Sequence, residues 1–85
     1  MNNDIENFKK KLIYRSQYRG TKEMDKLIGS FVKAIIQKLN DDQLEKLEKF
    51  LSTDDNKLYK FYNNEIIEEN FNNNEIFSLF KKFKY

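Results

Sequence analysis

Residues 21–52, TKEMDKLIGSFVKAIIQKLNDDQLEKLEKFLS, decide the fold. Met24, Leu27, Ile28, Phe31, Ile35 and Leu39 recur at spacings of three and four, which puts them on one face of a helix. Thr21 precedes the stripe as an N-cap, a residue whose side-chain oxygen can accept from an amide with no partner in the first turn. Asn40 opens a second helix in the same way. Asp41 and Asp42 fall in its first turn, where negative charge suits the helix dipole, and Gln43 stands where a side chain can reach back to the cap. Leu44, Leu47, Phe50 and Leu51 then continue an apolar stripe. The spacing predicts two consecutive amphipathic helices, the first running to about Leu39, with Gly29 as the point where it could bend.

Working outward, the N-terminal side repeats the pattern. Asn3 or Asp4 can cap a helix running to about Tyr18, with Ile5, Phe8, Leu12 and Ile13 on its inner face. Gly20 ends it, because glycine takes a positive φ at a helix C-terminus without a steric cost. On the C-terminal side, Ser52, Thr53 and Asp54 mark a turn before a short helix carrying Leu58, Tyr59, Phe61 and Tyr62. The stretch from 63 to 74 is rich in asparagine and glutamate and has no clear period. A last helix from about Asn74 carries Ile76, Phe77, Leu79, Phe80 and Phe83, and its closing lysines suit the negative end of the dipole. Proline is absent and no useful period-two alternation occurs, so the fold class is all-α: residues 1–85 form one small bundle of about five short helices.

Composition excludes several functions. A fold of this length buries only roughly 60% of its unfolded surface, so a large internal pocket is not expected. Without cysteine there is no disulfide, thiolate chemistry or sulfur-ligated metal. Without histidine the commonest general base and transition-metal ligand are also missing. Glu23 and Asp25 are the nearest thing to a catalytic acid pair, but two residues apart on a helix they face different directions. No metal is expected at Asp41 with Asp42 or at Asp54 with Asp55, since neither pair has the spacing of a calcium loop and both suit helix N-termini. The chain is therefore read as a non-enzyme. No apolar run approaches the roughly 18 residues of a membrane span, and the opening MNNDIENFKKK has neither a secretion signal nor a transit-peptide character. An intracellular location, most simply a bacterial cytoplasm, is the expectation.

The charge distribution points to one place. Fourteen of the 16 basic residues are lysine, yet Arg15 and Arg19 lie one helical turn apart and Gly20, one of two glycines, follows directly. Arginine offers a rigid planar fork of donors where lysine offers a mobile point charge, so this clustering suggests a need for guanidinium geometry. Residues 1–26 carry seven basic against four acidic groups, whereas the remainder is balanced or slightly acidic. Arg19 and Gly20 fall at the corner between the first two helices, with Glu23 and Asp25 in the opening turns of the second. Arg15, four residues before Arg19, would point the same way if the first helix persisted that far.

The run YRGTKEMDKLIGSF, followed by LSTDDNKLYKF, resembles the succinate dehydrogenase assembly factor 2 family, small flavinylation factors of bacteria and mitochondria. The family's RGxxE motif corresponds to Arg19, Gly20 and Glu23, with the following acid at Asp25. A second block, an aspartate pair before a leucine and two aromatics, corresponds to Asp54, Asp55, Leu58, Tyr59 and Phe61. The chain departs from many members in having Phe61 where they have tryptophan and in lacking a proline shortly afterwards. The resemblance implies a five-helix fold and a partner, the flavoprotein subunit of succinate dehydrogenase, with fumarate reductase as a further candidate. It also implies promotion of covalent FAD attachment, with the flavin and its acceptor histidine belonging to the partner and no cofactor held stably by this chain. Arg15, Arg19, Gly20, Glu23 and Asp25 would form the partner-binding corner, Arg19 engaging a carboxylate or the flavin's polar edge and Glu23 pairing with a partner cation or fixing Arg19.

Two other classes stand beside this one. A small helical adaptor of different specificity would share every feature of composition. Lys9, Lys10 and Lys11, with the tail Lys81, Lys82, Phe83, Lys84 and Tyr85, could contact nucleic acid, but a net charge of +2 with both signs interspersed does not suit a dedicated binder. The aromatics Phe31, Phe50, Phe61, Phe80 and Phe83 are expected in the core.

Overall fold

The first predicted helix runs from Asn3 to Gln17 (α1) in the computed structural model, which describes residues 3–65 and 74–84. Leu12 on its inner face is fully buried, and Ile5, Phe8 and Ile13 pack against the core from the side. α2 spans Lys22–Ile35 and opens as expected, with Thr21 Oγ1 accepting from the Met24 amide at 3.1 Å. It passes through Gly29 without a break. That glycine is buried against the end of α1, where an added Cβ would lie 3.5 Å from Gln17 Cγ. The helix stops earlier than its apolar period suggests: Ile36–Lys38 form a single 3-10 turn, closed by the Leu39 amide donating to Ile36 O at 3.3 Å. In the tighter turn, side chains three apart eclipse. Ile36, absent from the predicted stripe, becomes the buried residue, while Ile35 and Leu39 are half-buried.

α3 spans Asp41–Leu51 and begins with the predicted reciprocal cap: Asn40 Oδ1 accepts from the Gln43 amide at 2.8 Å and Gln43 Oε1 accepts from the Asn40 amide at 2.9 Å. α4 spans Asp55–Tyr62 and is capped by Asp54, whose Oδ2 accepts from the Asn56 amide at 3.1 Å. Its C-terminus is closed by Asn64 at φ 62, with the Asn64 amide on Phe61 O at 3.2 Å and the Glu65 amide on Lys60 O at 2.7 Å. This is a Schellman closure in which asparagine, tolerant of the left-handed region, takes the place usual for glycine. It ends the helix without a proline. The expectation for residues 63–74 otherwise lies largely outside the described residues.

α5 spans Glu75–Lys82 and starts at Asn74, whose Oδ1 accepts from the Ile76 amide and whose Nδ2 donates to Lys46 O, tying the cap of α5 to α3. Ile76, Phe77 and Phe80 are buried; Leu79, predicted on the same face, is exposed. With five α-helices, one 3-10 turn and no strand among the described residues, the all-α expectation holds. α1 packs on α2 and α3, and α5 packs on α3 and α4. The centre is aromatic. The Phe31 ring lies 5.4 Å from Phe50, 5.2 Å from Phe80 and 5.5 Å from Phe83, and Phe50 lies 4.9 Å from Phe77. Phe61 is buried beside them, with Lys81 Nζ 4.7 Å above its ring.

Candidate functional site

The junction between α1 and α2 is four residues long, and a polar or conformational constraint acts at each of Arg19, Gly20 and Thr21. The Arg19 amide donates to Asp25 Oδ1, so a carboxylate in the first turn of α2 holds the incoming chain. Gly20 follows at φ 133, a backbone conformation that side chains disfavour, and Thr21 then caps α2. α1 ends at Gln17, one residue before the position expected, and the two arginines therefore do not share a helix.

They nevertheless meet the same target. The Arg15 Nη2 donates to Ser52 Oγ at 3.1 Å and its Nη1 lies 3.7 Å from Glu48 Oε2. Arg19 reaches further in. Its Nη1 donates to Leu51 O, its Nη2 to Thr53 O at 2.9 Å, and its Nε to Asp55 Oδ1 at 2.8 Å, with Nη2 also 2.7 Å from that oxygen. Leu51 closes α3, so the guanidinium places positive charge and donors at the negative end of a helix whose last carbonyls have no partner within it. Asp55 is the first residue of α4, so the same fork ties that helix to the junction. A lysine nitrogen, being a single point, could not span acceptors arranged this way. The need for guanidinium geometry is thus met inside the molecule, and the Arg19 side chain is only 9% exposed.

The corner does not display Arg19 outward, and the carboxylate that holds it is Asp55, 36 residues away, not Glu23. Glu23 and Gly20 are exposed, and Glu23 has no ion-pair partner among the described residues; Asp25 is half-buried on its amide contact. The second block divides by role: Asp54 caps, Asp55 binds Arg19, Leu58 and Phe61 are core, and Tyr59 is 44% exposed.

The surface over this cluster is concave. An open groove of about 330 Å³ is lined by Tyr18, Arg19 and residues 51–55, and a second of about 200 Å³ runs from Thr21, Glu23 and Met24 to Asp55, Asn56 and Tyr59. Beside them Tyr14 and Tyr18 stand 63% and 67% exposed, with ring centroids 4.6 Å apart. Sequence reasoning assigned these two tyrosines nothing. Their signal was present: Tyr14 sits on α1 off its buried stripe, where an aromatic has no packing role, and Tyr18 follows four residues later, just past the helix end. Among the described residues there is no acidic cluster able to hold a metal ion, and no helix is long and apolar enough to cross a membrane. Of the basic groups in the two lysine clusters, Lys9 bonds to Gln37 and lies near Glu6, and Lys81 caps the Phe61 ring.

Residues 10–84, which contain both blocks, match the family described as flavinator of succinate dehydrogenase. The chain belongs to this family. Among curated relatives it is similar to the mitochondrial succinate dehydrogenase assembly factor 2 of Dictyostelium discoideum, 38% identical over 58 residues, 68% of this chain and 41% of that protein. It is similar also to the proteins of the same name from Aspergillus flavus, 32% identical over 56 residues (66% of this chain, 19% of that protein), and Aspergillus terreus, 30% over 66 residues (78% and 22%). The chain thus spans about a fifth to two fifths of the length of the curated relatives it matches. No solved structure matches it. The names of the family and of these relatives are those of assembly factors, not of metabolic enzymes, and the flavinator family is what the two sequence blocks had suggested.

Proposed function

We propose that this chain binds the flavoprotein subunit of succinate dehydrogenase and promotes covalent attachment of FAD to it, with a fumarate reductase flavoprotein as a further candidate partner. The observation that carries the proposal is that, in a member of the flavinator family, two blocks far apart in sequence meet through Arg19 and Asp55 at one concave, exposed corner. Arg15, Arg19, Gly20, Glu23 and Asp25 make up the binding corner, and the tyrosines beside it extend the face.

On this reading the flavin and the side chain that receives it belong to the partner. The contribution from outside is to hold the partner in the conformation that completes the linkage, which is positioning and electrostatic preorganisation. No flavin is expected to remain on the isolated protein, and a bacterial cytoplasm is the expected compartment.

Co-expression of the cognate flavoprotein subunit alone, with the wild-type chain, or with Gly20→Arg, followed by in-gel fluorescence of covalent flavin, tests the proposal. A side chain at φ 133 must distort the junction while the aromatic core is left alone. Flavin should rise with the wild type and not with a variant whose helical circular dichroism is intact. Flavin unaffected by the wild type, with no complex in a pull-down, would overturn the proposal.

A further inference from the structure

Resting on the function just proposed, we infer that Asp55 is a positioning residue for the partner-binding corner: it holds Arg19 inside the molecule, fixes the junction that presents Gly20 and Glu23, and leaves Arg19 itself out of contact with the partner. The bonding of Arg19 is the first ground. Its three guanidinium nitrogens bond to Asp55, Leu51 O and Thr53 O, and to reach a partner it would have to abandon a helix-end carbonyl, a turn carbonyl and a carboxylate together.

The second ground is that residue 19 is held at both ends. Asp25 takes its backbone amide and Asp55 takes its side chain, so Gly20 is the one flexible residue left between this anchor and the Thr21 cap. Asp55 also stands close to that pivot: a Cβ built on Gly20 would lie 3.9 Å from Asp55 Oδ2, the oxygen not engaged by Arg19. One carboxylate therefore sets the Arg19 side chain with one oxygen and borders the Gly20 backbone with the other. If the junction samples other conformations without it, the apparent affinity for the partner falls in proportion to the fraction still in the binding shape.

The alternative, in which Arg19 is a direct contact, predicts the opposite sign. Asp55→Asn would then release a guanidinium to the partner and leave binding unchanged or tighter. The experiment is calorimetric titration of the full chain, as wild type, Asp55→Asn and Asp55→Glu, into the purified cognate flavoprotein subunit, paired with amide hydrogen exchange on the free chains. Asp55→Asn should weaken binding by about tenfold, corresponding to the bound-shape population falling to about a tenth, while Asp55→Glu, which keeps the charge, should recover most of the affinity. Exchange in Asp55→Asn should accelerate at residues 19–22 and stay at the wild-type rate in α3 and α5, a local pattern that general destabilisation would not give. Wild-type affinity or better in Asp55→Asn, or exchange raised throughout, would overturn the inference while leaving the function proposal intact. No binding by the wild type would overturn both.

Discussion

The aromatic centre and the polar corner are two ways of holding helices together in a chain of 85 residues. At the centre, Phe31, Phe50, Phe77, Phe80 and Phe83 make ring contacts at separations between 4.9 and 5.5 Å, so α2, α3 and α5 are held by several contacts of similar kind. At the corner, one guanidinium joins the α1–α2 junction to the end of α3 and the start of α4. Apolar burial is non-directional and shared among neighbours, whereas a charged fork is directional and its bonds have no substitute. The centre therefore sets whether the chain folds, and the corner sets the shape of one patch of surface.

The sharpest test of that division is Phe50→Ala. The ring is fully buried among three others, and truncation at such a site costs about 3–5 kcal/mol. Small domains have little more than that to lose, so urea melts should show a midpoint shifted far down or no folded baseline at all. Arg19→Ala comes next. It strands two carbonyls and a carboxylate, but Asp55 is 28% exposed and can recover water, so about 1–2 kcal/mol is expected with helical circular dichroism preserved. Should Arg19→Ala unfold the chain as Phe50→Ala does, the corner belongs to the folding core and the comparison collapses.

The same division explains what the sequence made legible. Helix positions followed from apolar period, and the caps at Thr21 and Asn40 from residues whose side chains bond to the backbone within three positions; Asp54 and Asn74 marked a turn and a helix start, and the structure makes both of them caps as well. These are local interactions. The family blocks were legible too, as a pattern of residue types, but not the reason for Arg19: two of its acceptors are main-chain carbonyls, which no residue type marks, and the third is 36 positions away. The 3-10 turn after Ile35 escaped for a different reason. Ile35, Ile36 and Leu39 satisfy either helical period, and only packing chooses Ile36 as the buried one.

Two smaller effects sharpen the comparison from the packed side. Gly29 lies mid-helix with ordinary contact distance available to a Cβ, so Gly29→Ala should raise stability by about 0.5–1 kcal/mol, seen as a higher urea midpoint at constant slope. A loss would mean that the seam between α2 and the end of α1 tolerates less than its 3.5 Å contact distance allows. At the rim of the core, Lys46 lies 3.3 Å from both Asp42 and Glu75, linking α3 to α5. The hydrogen bond to Asp42, then that to Glu75, raise its pKa above 10.5. A raised folded value means that this contribution is complete below about pH 10.5 and is lost as pH climbs through the folded pKa. Lys46→Met should flatten the alkaline decline in melting temperature relative to the wild type, and an unchanged decline would assign it elsewhere.

The smallest expected effect on folding is at Tyr18, and it separates the two regions most cleanly. Its ring is 67% exposed and touches Tyr14 along the edge of the groove, so Tyr18→Ala should alter stability by no more than about 0.5 kcal/mol. A tyrosine left in water beside a concave polar surface is well suited to bury area on a partner at small entropic cost, and tyrosine is enriched among the few residues that dominate interfaces. On the proposed function, Tyr18→Ala should therefore weaken the complex with the flavoprotein subunit by about tenfold or more at an unchanged melting temperature. Equal binding would confine the docking face to Gly20, Glu23 and Tyr59 on the α2 and α4 side of Asp55. Weakened binding would extend it along α1, giving the corner an energetic centre made of the exposed aromatics and a shape maintained by an arginine that never leaves the protein.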